Sequence, residues 1–364
     1  MTGNAILLQL RRRALSAAFG PLLPLGRVFT QFGFVQADPI RAPARAQDLI
    51  LRHRVANYRA GDLERRYPRL GLEEAYLHAY GFATPAVHTL LLPRHDPASP
   101  DGDHVPAGLA AEVLAFVHDR GPTHPGALAD RFGHERELNG WGGMSKATTR
   151  ALQILLHYGR LRVVRRDGGM RIYEAAPRPE PSCSEVERVE RLTLLLARIL
   201  APVPTQTLLA TTAPIIRSVF GPGVRPAVVQ TLLRSGALLS EEADGVRYVW
   251  PADLAGSDPP RQAVRFLAPF DPLVWDRRRF EHFWGWPYRF EAYTPPSRRR
   301  LGYYAMPLLW RDEVIGWVNC SYRTGRLDVQ AGFVAGRPSA AAFTNAFDAE
   351  VTRLERFLSA EAAT

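Results

Sequence analysis

The chain has 364 residues, of which 46% are hydrophobic and 23% charged. That length predicts two to four domains, and the balance of apolar to charged residues excludes wholesale disorder. A formal net charge of +10 favours a polyanionic partner. Lys146 is the only lysine, so arginine carries the charge, and arginine grips phosphates and guanine edges in a bidentate manner. Cys183 and Cys320 are the only cysteines, which excludes a disulfide framework and a CxxC zinc site. The histidines form no HExxH pair, so no metal or cofactor is expected. No apolar stretch approaches the roughly 18 residues needed to span a bilayer, and a reducing, cytoplasmic compartment fits.

In chain order, Ile6, Leu7, Leu10 and Leu15 predict an opening helix. Arg11-Arg12-Arg13 follows a short apolar run with no cleavage site after it, which reads as that helix and not as a signal peptide. A second helix over 25–32 stops at Gly33. Next comes Phe34-Val35-Gln36-Ala37-Asp38-Pro39-Ile40. If 34–38 is extended, Gln36 and Asp38 share one face while Val35 and Ala37 point into the core. This holds an amide beside an anion on a rigid element. Taken alone, the triplet reads first as a strand end whose Asp38-Pro39 step starts a turn, and only its context favours the functional reading. Helices are expected over 44–55 and 72–80. The segment 95–106, dense in Pro, Asp and Gly, reads as a linker.

Segment 107–177 has the pattern of a winged helix. Helices are expected over 107–119, 125–132 and 145–158, with a glycine-rich loop at 139–143 and Ser145 as N-cap. Two basic runs flank Asp167-Gly168-Gly169 and predict a hairpin. The third helix would offer Lys146 and Arg150 to phosphate or groove, and the hairpin Arg165 and Arg166. Segment 185–254 repeats the plan, with helices over 185–200, 205–209 (and a turn near 214–219) and 226–235, then a hairpin turning at Asp244-Gly245. A third such unit would sit in the first segment, hidden by insertions. Segment 261–364 predicts strands over 264–270, 289–293, 303–309, 314–321 and 327–333, forming a small antiparallel sheet or barrel, and a closing helix over 339–360. Basic runs occur at Arg277-Arg278-Arg279 and Arg298-Arg299-Arg300. The expected fold is therefore α+β, with tandem winged-helix domains followed by a C-terminal antiparallel β-domain and a closing helix. The expected boundaries are 1–94, 107–177, 185–254 and 261–364.

Several runs together resemble the AlkZ-like and YcaQ-like DNA glycosylases. They are Gly33 to Ile40 followed by Arg45-Ala46 and Leu49, Gly142-Gly143 ahead of the Lys146 helix with Arg150-Ala151-Leu152 inside it, Pro269-Phe270-Asp271-Pro272-Leu273-Val274-Trp275-Asp276-Arg277, and Tyr293-Thr294-Pro295 with Gly302-Tyr303-Tyr304. They occur in the right order over almost the whole chain. The resemblance implies a concave channel for duplex DNA and excision of alkylated purines, with interstrand crosslinks as substrates in some members. The family divides between Gln-x-Gln and Gln-x-Asp motifs, and this chain carries the Asp form at 36 and 38. Gln47-Asp48 departs from the histidine-containing pair expected after Arg45-Ala46.

The chemistry agrees with that resemblance. An N7-alkylated purine is cationic and already a good leaving group. What remains is to stabilise an oxocarbenium-like sugar and aim a water at C1′. A carboxylate does both, which assigns Asp38 as the catalytic anion, either taking the water's proton or acting through charge alone. Gln36 would hold the water or the sugar-phosphate. Strand-cutting glycosylases need an amine, and the single lysine lies far in sequence from Asp38, so a monofunctional enzyme is expected. The DNA-binding candidates are Arg45, Lys146, Arg150, Arg165, Arg166, Arg298, Arg299 and Arg300, acting in a monomer on duplex DNA. The competing reading is a winged-helix transcription regulator without catalysis, for which the Gln36/Asp38 pair has no task and two heads in one chain are one too many.

Overall fold

The computed structural model describes residues 3–99, 106–138, 144–177, 180, 183–222, 227–254, 256 and 261–359. The glycine-rich loop at 139–143, with Gly142 and Gly143, lies outside the described residues, as does 100–105 of the expected linker. Helices and antiparallel sheets together make an α+β fold. The chain forms two compact units. One comprises Met1–Leu63, Thr193–Ala210 and Ala227–Thr364, and the other Glu64–Leu192 and Thr211–Pro226.

The first unit opens with α1 (Gly3–Ala18) and α2 (Leu25–Phe32). Leu25, Val28, Phe29 and Phe32 make the buried stripe of α2 at helical spacing. Gly33, at φ 70, ends the helix in a conformation that disfavours a side chain. The chain turns directly into β1 (Phe34–Gln36) and then runs through a loop to α3 (Ala46–Leu51), which is buried on every side. α4 (Asp62–Arg66) follows at the unit boundary.

In the second unit, the stretch expected as a helix over 72–80 is instead a hairpin of β2 (Glu73–Tyr76) and β3 (Tyr80–Ala83). Helix-favouring composition loses here to tertiary pairing. The strand form turns Glu74 inward, where Arg166 chelates it at 2.7 and 2.9 Å and Arg171 adds a third contact at 2.8 Å. After α5 (Pro85–Leu90) come α6 (Leu109–Arg120), α7 (Pro125–Phe132), the paired β4 (Arg136–Leu138) and β5 (Met144–Lys146), α8 (Ala147–His157), and the hairpin of β6 (Leu161–Asp167) and β7 (Met170–Ala175). Ser145 therefore does not cap the third helix. It lies in β5 opposite Glu137, and the helix begins two residues later.

The next segment runs α9 (Glu185–Ile199), β8 (Val203–Pro204), α10 (Thr205–Phe220), α11 (Val228–Arg234), β9 (Leu238–Ala243) and β10 (Val246–Pro251). α10 is one helix with Pro214 inside it, where the sequence suggested two short pieces. The buried stripe Leu208, Ile215, Ile216 and Val219 runs through the proline and holds the helix together. β8, β10 and β9 form an antiparallel sheet in that order.

The first unit is completed by β11 (Val264–Phe266), α12 (Pro272–Trp275), α13 (Arg277–Trp284), β12 (Met306–Trp310), β13 (Glu313–Arg323), β14 (Arg326–Phe333) and α14 (Ala341–Leu358). The four strands form an antiparallel sheet in chain order. The expected strand over 289–293 is absent: Glu291 turns inward, where its Oε2 accepts from the N–H groups of Arg300, Leu301 and Gly302 at 2.9, 2.8 and 3.2 Å. The closing helix is fixed electrostatically. Glu350, fully buried, accepts from Arg52 at 2.6 Å, from Arg353 at 2.6 Å and from the N–H of Phe266 at 3.2 Å.

Candidate active site

The site is built from the turn after β1. Phe34 and Val35 are buried, Gln36 is half-buried, Ala37 is buried and Asp38 is half-buried. The alternation expected of an extended run thus holds through Asp38, although the strand itself ends at Gln36. Beyond it the Asp38 Oδ1 accepts the N–H of Ile40 at 2.9 Å, a side-chain turn that fixes the carboxylate's direction. No ion pair to Asp38 forms among the described residues. Burial pushes its pKa up from the ordinary aspartate value, and the Ile40 N–H pulls part of the way back. A carboxylate raised in this way is a better proton acceptor than a free one.

Two residues close to Asp38, one in sequence and one through its charge, carry a buried polar atom without a hydrogen-bond partner: Oε1 of Gln36 and the hydroxyl of Tyr304. Tyr304 is 3% exposed, and its pKa is pushed well up by burial first and by the charge of Asp38 second. Tyr293 is 80% exposed, and its pKa is raised by partial burial first and by the charge of Asp38 second. Unsatisfied buried groups are costly, so their retention beside a carboxylate fits a place for substrate or water.

Loop 291–304 holds both tyrosines. The three N–H groups on Glu291 fix one end, and Arg299 donates to the carbonyl of Thr294 at 2.8 Å and lies over the Tyr303 ring at 5.0 Å. A cleft of about 450 Å3 adjoins the loop, lined in part by Arg41, Pro43, Tyr303, Tyr304, Asn319 and Tyr322.

A family model described as DNA glycosylase AlkZ-like matches residues 29–357 of this chain. The chain belongs to the AlkZ-like DNA glycosylase family. It is accordingly an enzyme that acts on DNA and hydrolyses N-glycosyl bonds. The match contains β1, the Asp38 turn, loop 291–304 and nearly all of α14.

Within this AlkZ-like glycosylase, Gln47 is buried and its Oε1 accepts the backbone N–H of Asp38 at 3.4 Å. Asp48 is buried beside it, accepting from the Tyr58 hydroxyl at 2.6 Å and from Gly61 N–H at 3.1 Å. The departure from the family pattern at 47–48 is thus a pair of hydrogen-bonded buried groups, one of which holds the backbone of the Asp38 turn. Sequence reasoning did not assign Gln47, Glu291 or Tyr304 a task. Tyr304 belongs to the Gly302-Tyr303-Tyr304 run shared with the family, whereas nothing in the spacing marks the other two.

The other motif residues are largely internal. Asp271 makes a fully buried bidentate pair with Arg54 at 2.8 and 3.0 Å, and Asp276 caps α13 through the N–H groups of Arg278 and Arg279. Arg279 is buried among the carbonyls of Leu200, Pro202 and Pro272. Of the candidate DNA contacts, Arg298 and Arg300 are exposed on loop 291–304, while Arg299 is half-buried and braces that loop. Arg45 is half-buried at the start of α3. In the second unit Lys146 is exposed, Arg150 is exposed and lies 4.0 Å from the Glu137 carboxylate, and Arg165 is exposed and paired with Asp167 at 3.1 Å. Arg166 is engaged by Glu74, Glu64 and Tyr80. No helix among the described residues is long and apolar enough to cross a membrane.

Proposed function

We propose that this glycosylase hydrolyses the N-glycosidic bond of cationic N7-alkylated purines, interstrand crosslinks included, and leaves an abasic site. The observation that carries the reading is the state of Asp38: half-buried, raised in pKa, oriented by Ile40 and in no ion pair among the described residues. Such an anion is available to a developing oxocarbenium ion and to a water proton. In the reaction the C1′–N9 bond breaks and its electron pair neutralises the cationic purine. Water oxygen bonds to C1′, and its proton passes to Asp38. The base therefore leaves without being protonated. Gln36 would orient the water through its amide, and its unpartnered Oε1 fits that task.

The helix, strand and hairpin orders of 107–177 and 185–254 support two winged helices. In the first, Thr123 makes an isolated antiparallel bridge to Tyr173 of β7, at the edge where a third strand would lie, and in the second the short strand β8 pairs with β10. Arg45, Lys146, Arg150, Arg298 and Arg300 would carry phosphate contacts, with Arg165 joining once released from Asp167. Arg299 and Arg166 would act through the elements they brace. The enzyme would work as a monomer on duplex DNA in the cytoplasm. Lys146 ends β5 in an exposed position, and no other lysine exists to form a Schiff base.

The test is incubation with duplex DNA carrying N7-methylguanine or a nitrogen-mustard crosslink. The expected product is an alkali-labile abasic site with no β-elimination fragment. Strand cleavage lost in Lys146→Ala would overturn the monofunctional assignment. Sequence-selective binding without product would favour the regulator.

A further inference from the structure

The cleft beside the Asp38 turn has a lining that hydrolysis alone does not use. Its volume of about 450 Å3 falls within the roughly 300–1,000 Å3 of small-molecule sites. One part of the lining, Arg41-Ala42-Pro43, begins three residues after Asp38. Tyr303 and Tyr304 come from the loop that also feels the carboxylate's charge, and β13 and β14 contribute Asn319, Tyr322, Asp328 and Gln330.

This lining is held in place. Asn319 Nδ2 donates to the carbonyl of Leu301 at 2.7 Å. Gly302 sits at φ 125, and a Cβ there would lie 2.3 Å from the Asn319 oxygen. Only glycine lets the loop approach Asn319 this closely. With Glu291 holding the N–H groups of 300–302, Tyr303 and Tyr304 leave the loop in a fixed direction.

We propose that this cleft receives the damaged purine once it has been drawn out of the stack, leaving its C1′ at Asp38. The inference rests on the substrate reading above. Enzymes that act on a base within a duplex commonly extrude it and read it by stacking and edge hydrogen bonds. Tyrosine faces and the Asp328 carboxylate attract a cationic ring. The amides of Asn319 and Gln330 offer donors and acceptors to a purine edge. Arg41 and Arg323, at the same cleft, suit the phosphates that move with the nucleotide.

The test uses duplex DNA with N7-methylguanine beside a 2-aminopurine, whose fluorescence rises when its neighbour unstacks. The Asp38→Asn protein, expected to bind the duplex and turn over slowly, should brighten the probe before excision, and adding Ser321→Trp should abolish that. Ser321 is an exposed strand residue in the cleft lining, and tryptophan is well tolerated in strands. Ser321→Trp alone should slow excision by roughly tenfold or more, the factor expected for loss of one base–aromatic stack, with affinity for undamaged duplex unchanged. If Ser321→Trp lowers the melting temperature, Tyr322→Ala, which removes a stacking face, must show the same loss. No brightening, or excision by these variants at the wild-type rate, overturns the cleft assignment alone. A wild-type protein that yields no abasic sites overturns the substrate reading instead.

Discussion

The backbone N–H of Asp38 donates to the side-chain oxygen of Gln47 across 3.4 Å, and Gln47 is 2% exposed. The residue proposed to carry catalysis is thus tied down through its main chain, which leaves one carboxylate oxygen beyond the Ile40 contact for chemistry. Gln47→Ala should lower kcat by up to about tenfold, since a hydrogen bond of this type contributes roughly 0.5–1.5 kcal/mol. DNA affinity should not change. Steady-state excision kinetics beside a binding titration would check this, and equal losses in both would contradict it.

The raised pKa of Asp38 sets the pH dependence. Burial raises it and the Ile40 N–H opposes the shift. The ionised form is the active one, so kcat/KM should fall as pH drops through that value, at a pH above the ordinary aspartate figure of about 3.9. For stability the sign is the reverse. The folded state holds this proton more tightly than the unfolded chain, so ionisation weakens the fold above the folded pKa and has no effect below the unfolded one. Asp38→Asn should therefore raise the melting temperature at neutral pH and not near pH 3. Thermal melts of both proteins across pH would reveal a shift of the wrong sign.

Arg54 and Asp271 form a pair with side chains 4% and 0% exposed. Removing one partner strands a buried charge, which typically costs about 3–5 kcal/mol. Asp271→Ala should lose stability on that scale in chemical denaturation. A loss below about 1 kcal/mol would show that water reaches the pair.

Arg298 and Arg166 should behave differently although both stand in basic runs. Arg298→Ala should weaken binding to any duplex and reduce the log–log salt slope by about 1. Arg166→Ala should leave the slope unchanged and lower stability, because Arg166 serves the buried Glu74. Salt titrations of the two variants would separate them, and a reduced slope for Arg166→Ala would put that residue on the DNA.

Much of the fold could be read from local pattern. The helix over Pro125–Phe132 and the Asp167 turn carry their own proline, glycine and periodicity signals, and both occur as expected. Elements decided by distant partners were not legible. The hairpin at Glu73–Ala83 depends on Arg166 and Arg171, some 90 residues away. The loop at 289–293 depends on where Glu291 finds its three N–H groups. The site shows the same division. Gln36 and Asp38 stand out because alternation places them together, whereas Gln47 acts across a turn that no spacing rule specifies. Basic runs misled most, since Arg279 is fully buried on carbonyls in a segment that reads as an exposed cluster.

The central claim is that the Asp38 carboxylate drives glycosidic cleavage, and single-turnover excision of N7-methylguanine from duplex DNA tests it most directly. Asp38→Asn keeps the side chain's shape and its acceptor for Ile40 but removes the charge. The rate should fall by about 10²–10⁴-fold, with the dissociation constant for the same duplex close to wild type. A variant that excises the base as fast as the wild type would contradict the account.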